Sequence, residues 1–375
     1  SFDLLRGLTL HAGLDFQMGP FDVLVRAPGP PRPGEPSPGP FTTRPLLETR
    51  QSSVFFRPAW YTDLQWRVGA LTVSPGARVD YARDTSQADF SPRLGLRYDL
   101  TGRSLEASEG SAGAPEGGER RTTLKAGAGI FYQPAQPQET DEVFGTPGLQ
   151  SNRAVHYSIG IERELTDQIE IGLEGFYKDL DQLVSRSPGA DGSFDYGNQG
   201  SGSVIGGETL LKYKADARFF GWLAYTLSRS VRRDSPGAEE YPFQYDQTHI
   251  LTVLGNYQLG RGWNVGARFR LISGPLQTPV LPSPSLPAVF AADAAAYTPL
   301  QSEPFSERLP LVHQLDLRVE KIWQYETFAL TFYVDLWNAY NNAAREDISY
   351  NFDYSRRSYQ QGLPIIPSLG LKGEF

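Results

Sequence analysis

The chain alternates apolar and polar residues in stretches of about ten, and each stretch ends in a tight turn or a long loop. Val155, Tyr157 and Ile159 alternate with polar or small residues, and the alternation resumes at Ile169 after a short turn. A period of two places the apolar side chains on one face of a strand and the charged ones on the other. The pattern therefore predicts strands that separate an apolar environment from water.

Counting this alternation gives about fourteen strands in the chain. They are predicted at 8–18, 54–68, 71–83, 90–101, 122–133, 155–165, 168–180, 204–215, 218–230, 249–259, 262–273, 312–323, 328–337 and 364–375.

The connections between these strands alternate in length. Short turns alternate with long segments at 19–51, 134–154, 181–203, 231–246, 274–311 and 338–363. Outer-membrane barrels join their strands by short periplasmic turns and longer external loops. The chain is thus predicted to be all-β, a transmembrane antiparallel β-barrel of outer-membrane type, with both termini on the periplasmic side and residues 1–375 in one domain.

Two connections have unusual composition. Segment 102–121 falls where a short turn is expected, but it is rich in Gly, Ser and Glu, so we predict a flexible periplasmic insertion. Segment 274–311 is rich in proline and is predicted to be extended rather than helical.

Aromatic residues support the same arrangement. On the short-turn side, rings fall at lipid-facing strand ends, and Tyr residues occupy the ends on the long-loop side. These residues are Trp66, Phe219, Trp263, Trp323, Phe328 and Phe375 on the first side, and Tyr81, Tyr132, Tyr157 and Tyr177 on the second. Two such bands are typical of the aromatic girdles of membrane barrels.

Composition narrows the alternatives. The net charge of −8, without a basic cluster, disfavours nucleic acid as a partner, and the absence of cysteine excludes disulfides and thiolate metal sites. No apolar run is long enough for a membrane-spanning helix. A soluble β-sandwich also alternates, with its apolar face inward, but it does not explain long loops on one rim only.

No reaction chemistry is indicated. The four histidines, His11, His156, His249 and His313, lack metal-ligand spacing, and adjacent acids such as Glu239 and Glu240 lie in a predicted loop. No nucleophile elbow or phosphate-binding glycine loop occurs. We predict neither an enzyme nor a cofactor-binding or metal-binding protein.

Two groups of residues are candidates for contacts. Charges on the predicted inner face either form salt bridges or touch a plug or a charged solute; they are Glu170, Glu174, Arg268, Arg270, Asp316, Arg318 and Glu320. External-loop candidates for recognition are Phe243, Tyr245, Tyr350, Phe352, Tyr354, Arg356 and Arg357, although the last loop could equally pack on its own rings.

Several short segments of the sequence resemble segments of the TonB-dependent outer-membrane receptor family. They include PGARVDY at 75–81, SPRLGLRY at 91–98, GLQSNR at 148–153, DQTH at 246–249, RLISGP at 270–275 and DLWNAYN at 335–341. The end of the chain, with Leu369, Gly370, Leu371 and Phe375, resembles the family's terminal strand, whose final aromatic residue is read by the barrel-assembly machinery. Gly373 departs from that pattern, where a larger apolar residue is commoner.

The resemblance implies a Gram-negative outer-membrane location, with outer-membrane lipid around the wall, and uptake of a scarce solute through a barrel of about twenty-two strands. It also implies TonB and an N-terminal plug as partners. The chain has room for about fourteen strands and shows neither a plug nor a TonB-box-like leader, so we expect the later part of such a barrel. Three ways of closing the sheet remain open: residues outside this chain, a second chain, or closure as a smaller barrel.

The functional alternatives are a barrel that anchors a multiprotein assembly and a passive pore. The identity of the solute does not follow from the loops.

The orientation of the strands has a simple test. Because the apolar side chains are predicted to face hydrocarbon, the purified chain should stay monomeric only in detergent or lipid, as measured by size-exclusion chromatography. A folded monomer in plain buffer would place the apolar face inside and contradict the membrane barrel.

Overall fold

The predicted strands form in the computed structural model, and the long ones pair as antiparallel neighbours in one sheet. The structure describes residues 1–28, 46–83, 85–101, 120–143, 145–188, 194–281, 287–291 and 296–375. The insertion predicted over 102–121 lies outside the described residues except for its last two positions. No helix within the described ranges has the length and apolarity to cross a bilayer.

The elements are given in chain order. They are β1 (Phe2–Leu5), β2 (Leu8–Pro28), β3 (Leu46–Val68), β4 (Leu71–Ala82), β5 (Gln87–Asp99), β6 (Thr122–Gln133), α1 (Pro137–Thr140), β7 (Asn152–Glu164), β8 (Ile169–Pro188), β9 (Phe194–Tyr213), β10 (Phe219–Arg233), β11 (Tyr241–Pro242), β12 (His249–Gly260), β13 (Trp263–Ile272), β14 (Leu276–Gln277), β15 (Ala288–Ala291), β16 (Ala296–Pro299), β17 (Glu307–Arg308), β18 (Val312–Gln324), β19 (Ala329–Trp337), β20 (Arg345–Tyr350), β21 (Arg357–Gln361) and β22 (Ile366–Glu374).

One sheet of 16 strands forms the wall. Its order is β1 to β10 followed by β12, β13, β18, β19 and β22, with β11 attached to β10. Every pairing is antiparallel between wall strands that follow one another in the chain, as in an up-and-down barrel. Among the described residues no pairing joins β22 to β1 or β2, so this sheet has two free edges.

The outer segments form small hairpins of their own. β14 pairs with β17 and β15 with β16 inside segment 274–311, and β20 pairs with β21 inside 338–363. The short ladders in 274–311 agree with the extended conformation predicted from its prolines.

The two faces of the wall differ in chemistry. Residues paired across antiparallel strands share a face, so Val253, Phe269 and Leu315 lie together on the outer face. Arg270 lies on the opposite face, between Thr252 and Gln314, and we call this the lumen face. The alternation read from the sequence therefore corresponds to the two faces of the sheet.

The apolar face is not covered by protein. Leu14, Ile159 and Leu371 are 80%, 69% and 71% exposed. The accessible surface is 23345 Å², whereas a soluble globular protein of this mass exposes about 15,000 Å². The buried apolar cluster of Ala135, Leu149 and Tyr196 joins the segment between β6 and β7 to the long-loop end of β9. The soluble sandwich is therefore excluded, and the fold is an outer-membrane β-barrel wall.

The aromatic residues fall on the outer face as predicted. Trp66, Trp263 and Trp323 are exposed near the short-turn ends of their strands. On β4 the outer face runs from Leu71 to Tyr81, which spans about 34 Å along the strand and about 25 Å across a bilayer at the usual tilt. This matches the height of a hydrocarbon layer.

In two predicted loops, the described residues continue the wall strands. Segments 19–51 and 181–203 were expected to be loops, but β2 continues to Pro28, β3 begins at Leu46, and β8 and β9 extend to Pro188 and from Phe194. Alternation fades there because these strand ends project beyond the bilayer, so neither face of the hairpin meets hydrocarbon. Cross-strand pairs stabilise the β2–β3 hairpin instead, with Arg50 and Asp22 2.9 Å apart and Arg26 and Glu48 3.8 Å apart.

Rings on the lumen face lie over glycines of the neighbouring strand. Tyr333 of β19 covers Gly370 of β22, where an added Cβ would lie 2.1 Å from Cζ of the ring. The Tyr333 ring also contacts the Arg318 guanidinium, whose Cζ lies 4.1 Å from the ring centroid. Tyr61 covers Gly13 in the same way. Glycine at these positions gives the ring a surface on which to pack.

Replacing Gly370 tests this packing. Gly370→Val should destabilise the barrel by about 1–3 kcal/mol, because the new side chain overlaps the ring of Tyr333. The midpoint of urea unfolding in detergent, followed by heat-modifiable gel mobility, measures the change.

Gly175→Val is the matched control, since nothing lies within 4 Å of its added Cβ. Combining Gly370→Val with Tyr333→Ala should recover much of the loss. Equal midpoints for the two valine variants would contradict the packing.

Candidate functional site

The lumen face carries a lattice of ion pairs. Arg268 of β13 pairs with Asp316 of β18 at 2.6 Å, and Arg318 contacts Glu320 at 3.0 Å and Asp335 at 3.1 Å. Further pairs on this face are Arg93–Asp63, Arg97–Glu162, Lys125–Glu162 and Lys212–Glu170. These charges neutralise one another along the wall.

Several lumen charges have no such partner among the described residues, and Glu174, Glu208 and Arg270 are among them. Glu174 of β8 lies directly opposite Glu208 of β9, and neither carboxylate contacts a cation. Arg270 of β13 lies between Thr252 and Gln314. Like charges placed opposite each other destabilise a sheet, so Glu174 and Glu208 favour a cation between them.

A cavity of about 510 Å³ opens at the long-loop end of the lumen, and we call it the vestibule. It is lined by the ends of β6, β7, β8 and β10 together with the loop that contains β11. Its lining includes Phe131, Glu139, Arg153, His156, Leu183, Arg232, Asp234, Tyr241, Phe243 and Phe305. Volumes of this order are typical of small-molecule sites.

Arg232 is the cation of the vestibule that lacks an acidic partner in the described structure. Its Cζ lies 4.0 Å from the centroid of the Phe243 ring, and Nη1 donates to Ser230 Oγ and to the Val231 carbonyl. Arg153, by contrast, is paired with Asp181. A guanidinium held flat on a ring, with donors to spare, suits a planar or anionic group.

Two acidic groups of the vestibule, Tyr241 and Glu139, have raised pKa values. Burial and then the hydrogen bond to Asp234 raise the pKa of Tyr241, whose hydroxyl donates to Asp234 Oδ1 at 2.6 Å. Burial raises the pKa of Glu139, whose carboxylate accepts the Gln136 N–H at 2.6 Å. Tyr241 therefore stays a hydrogen-bond donor at neutral pH.

A buried ion pair fixes the loops around the vestibule. Asp246, 5% exposed, accepts the Ser230 N–H at 2.7 Å and pairs with Arg308 at 2.5 Å. Arg308 also donates to the carbonyls of Asp246 and Gly274. This ion pair joins segment 274–311 to the loop that follows β10. Phe305 of that segment lies near Tyr241, with 6.0 Å between the two ring centroids.

The external candidates from the sequence separate into two groups. Phe243 lines the vestibule, and Tyr245 packs edge-on against it at 5.4 Å. Tyr350, Phe352, Tyr354, Arg356 and Arg357 lie on or between β20 and β21. There Tyr350 packs on Tyr354, Phe352 on Tyr297, and Arg357 pairs with Glu307 at 3.0 Å. The last loop thus packs partly on its own rings and partly on segment 274–311.

Sequence reasoning missed Arg232, Tyr241 and Arg308. Arg232 lies at the end of a strand beside a second arginine, which was a usable signal. No sequence signal identified Arg308, because its partner Asp246 is distant in the chain. Within the described ranges, no cluster of three or more His, Asp or Glu side chains could hold a metal ion.

The terminal residues lie where a lipid-facing signal should be. Leu369 and Leu371 are on the outer face, and Phe375 is fully exposed, with its ring 6.1 Å from that of Phe328. Their reading by the barrel-assembly machinery stays a prediction.

Solved structures show the same fold. The outer membrane transporter YddB from Escherichia coli has a TM-score of 0.59 at 11% sequence identity. The match covers 88% of this chain and 46% of the transporter. The ferric enterobactin receptor PfeA from Pseudomonas aeruginosa, solved as a mutant, has a TM-score of 0.58 at 14% sequence identity. The match covers 98% of this chain and 51% of the receptor. The FrpB iron transporter from Neisseria meningitidis has a TM-score of 0.59 at 12% sequence identity. The match covers 99% of this chain and 53% of the transporter.

The chain spans about half the length of these proteins. Comparison with curated proteins finds no significant sequence match. The sequence model described as "TonB dependent receptor-like, beta-barrel" matches residues 1–335, most of the chain. The family resemblance inferred from the short segments is therefore confirmed, and the chain belongs to the TonB-dependent receptor-like β-barrels of the Gram-negative outer membrane.

Proposed function

We propose that this wall belongs to a receptor that takes up a scarce solute across the outer membrane, with TonB as the source of energy. The vestibule binds the solute, and the lumen below it admits the solute to the periplasm. The observation that carries the proposal is Arg232, which is held against Phe243 in a cavity at the long-loop end of the lumen and has no acidic partner in the described part of the chain.

The surroundings of Arg232 support binding rather than wall structure alone. The wall cations Arg268 and Arg318 are matched by carboxylates. Arg232 instead faces a cavity bordered by rings and by the Tyr241 hydroxyl. A site with a few directed polar groups among apolar walls is the usual form of a small-molecule pocket.

The lumen supports a second element of the proposal, a plug. Glu174 and Glu208 face each other, and no cation of the described residues pairs with either carboxylate. A basic side chain of a plug placed between them would offset their repulsion and form charge-assisted hydrogen bonds. The plug would thus be held at β8 and β9, while the paired charges on β13 and β18 contribute to the wall itself.

Binding at the vestibule is tested by Arg232→Gln and Phe243→Leu in the complete receptor. Arg232→Gln should lower accumulation of the transported solute about tenfold, because losing a hydrogen bond to a charged group costs about 1.5–3 kcal/mol. Phe243→Leu should lower it in the same direction, because it removes the ring that holds the Arg232 guanidinium. Cells are offered ferric siderophores labelled with radioactive iron (ferric enterobactin first), cobalamin, and labelled oligosaccharides, and the retained label is counted.

Arg229→Gln is the matched control, because Arg229 lies on the same strand but on the outer face. Its accumulation should equal that of the wild type at equal receptor levels. The passive pore would be favoured if none of these solutes accumulated in a saturable, TonB-dependent way and the receptor gave a steady conductance in a planar bilayer.

The plug contact is tested by Glu174→Gln combined with Glu208→Gln in the complete receptor. We expect the amides of the plug to exchange with deuterium several-fold faster, because the acids that hold its basic groups are gone. Glu320→Gln is the control, since Glu320 is bonded within the wall to Arg318 and Asn264. Unchanged plug exchange in the double variant would remove this contact from the proposal.

A further inference from the structure

The short-turn rim carries a second cavity, with an unusual charge pattern. It has a volume of about 500 Å³ and lies between the turn that joins β12 to β13 and the end of β18. Its lining contains two cations, Arg261 and Lys321, and neither Asp nor Glu. In a chain of net charge −8 this concentration of unmatched positive charge calls for an anionic ligand.

Lys321 lies on the lipid-facing side of the wall. It is paired with Trp263 of β13 on one side and with Phe332 of β19 on the other, so all three share the outer face. Its ammonium lies 5.5 Å from the Trp263 ring centroid and 5.8 Å from that of Trp323. A lysine between two tryptophans is typical of headgroup depth, where the rings meet the boundary of the hydrocarbon.

Two of the neighbouring acids are bonded to other residues. Glu320 faces the lumen and is bonded to Asn264 and Arg318, and Glu374 pairs with Lys372. Lys321 donates to the Arg261 carbonyl and, within the described structure, has no carboxylate partner. Arg261 is exposed in the turn, with a positive φ of 54°.

We propose that this cavity binds the headgroup of an anionic phospholipid. The phosphodiester lies between Lys321 and Arg261, and the glycerol and upper acyl segments lie against Trp263 and Trp323. The short-turn rim is the periplasmic one, so the lipid comes from the phospholipid leaflet. The site is independent of solute uptake, and it anchors the wall at a fixed depth on this side of the barrel.

Native mass spectrometry of the complete protein in detergent tests the site. The probes are phosphatidylglycerol, phosphatidylcholine with the same acyl chains, and soluble glycerophosphoglycerol. Lys321→Gln and Arg261→Asn should each lower phosphatidylglycerol binding about fivefold, which corresponds to about 1 kcal/mol for one basic residue near anionic lipid. Asparagine is chosen because it tolerates the positive φ at position 261.

Lys372→Gln is the control, since it removes a charge from the lumen face of the adjoining sheet edge. Heat-modifiable gel mobility confirms that each variant is folded, and Arg261→Asn, in an exposed turn, provides the test if Lys321→Gln does not fold. The site is supported if phosphatidylglycerol is preferred and only the two rim variants lose it. It is overturned if both folded variants bind normally, if Lys372→Gln loses as much, if phosphatidylcholine binds equally, or if glycerophosphoglycerol displaces the lipid.

Discussion

The structure depends on the need of each strand to satisfy its backbone inside a bilayer. Hydrocarbon offers no hydrogen-bond partners, so the N–H and C=O groups of a spanning strand must pair with neighbouring strands. Antiparallel pairing of wall strands adjacent in the chain meets this need with short turns on one rim. Side chains are then divided between lipid and lumen, and this division produces the alternation in the sequence. Leu371, exposed on the outer face, and Lys372, on the lumen face, are consecutive residues that show it.

The same constraint applies to the edges of the described sheet. β1 and β22 each present a row of backbone groups that no described strand pairs. In hydrocarbon each unpaired group costs several kcal/mol, so a closed wall requires further strands at these edges or direct pairing between them. The lengths of the solved relatives leave room for such strands, since the chain spans about half of each.

The long-loop rim is stabilised by polar contacts more than by an apolar core. Two ion pairs attach segment 274–311 to its neighbours. Arg308 pairs with Asp246 of the loop after β10, and Glu307 pairs with Arg357 of β21. A buried carboxylate is tolerated only when it is paired and hydrogen-bonded, and Asp246 meets both conditions. The vestibule is therefore bordered by fixed loops, while its Arg232 is paired with no carboxylate among the described residues.

The alternation and the loop lengths predicted the fold class and the wall strands. Environments on the two faces of a spanning strand differ so strongly that they leave a local period of two in the sequence. The same signal failed for β2, β3, β8 and β9 beyond the membrane, where neither face meets hydrocarbon and pairing continues without alternation.

The candidate site was predicted only in part. Phe243 could be selected because it is an aromatic residue on an external loop. Its contact with Arg232, however, and the proximity of Arg308 to Asp246, join groups whose relation is not periodic. The sequence by itself determined which side chains meet lipid, because that choice is local to each strand. The tertiary structure alone decided which charges are matched and which remain open, because that depends on the register of strands and on loops that meet across the rim.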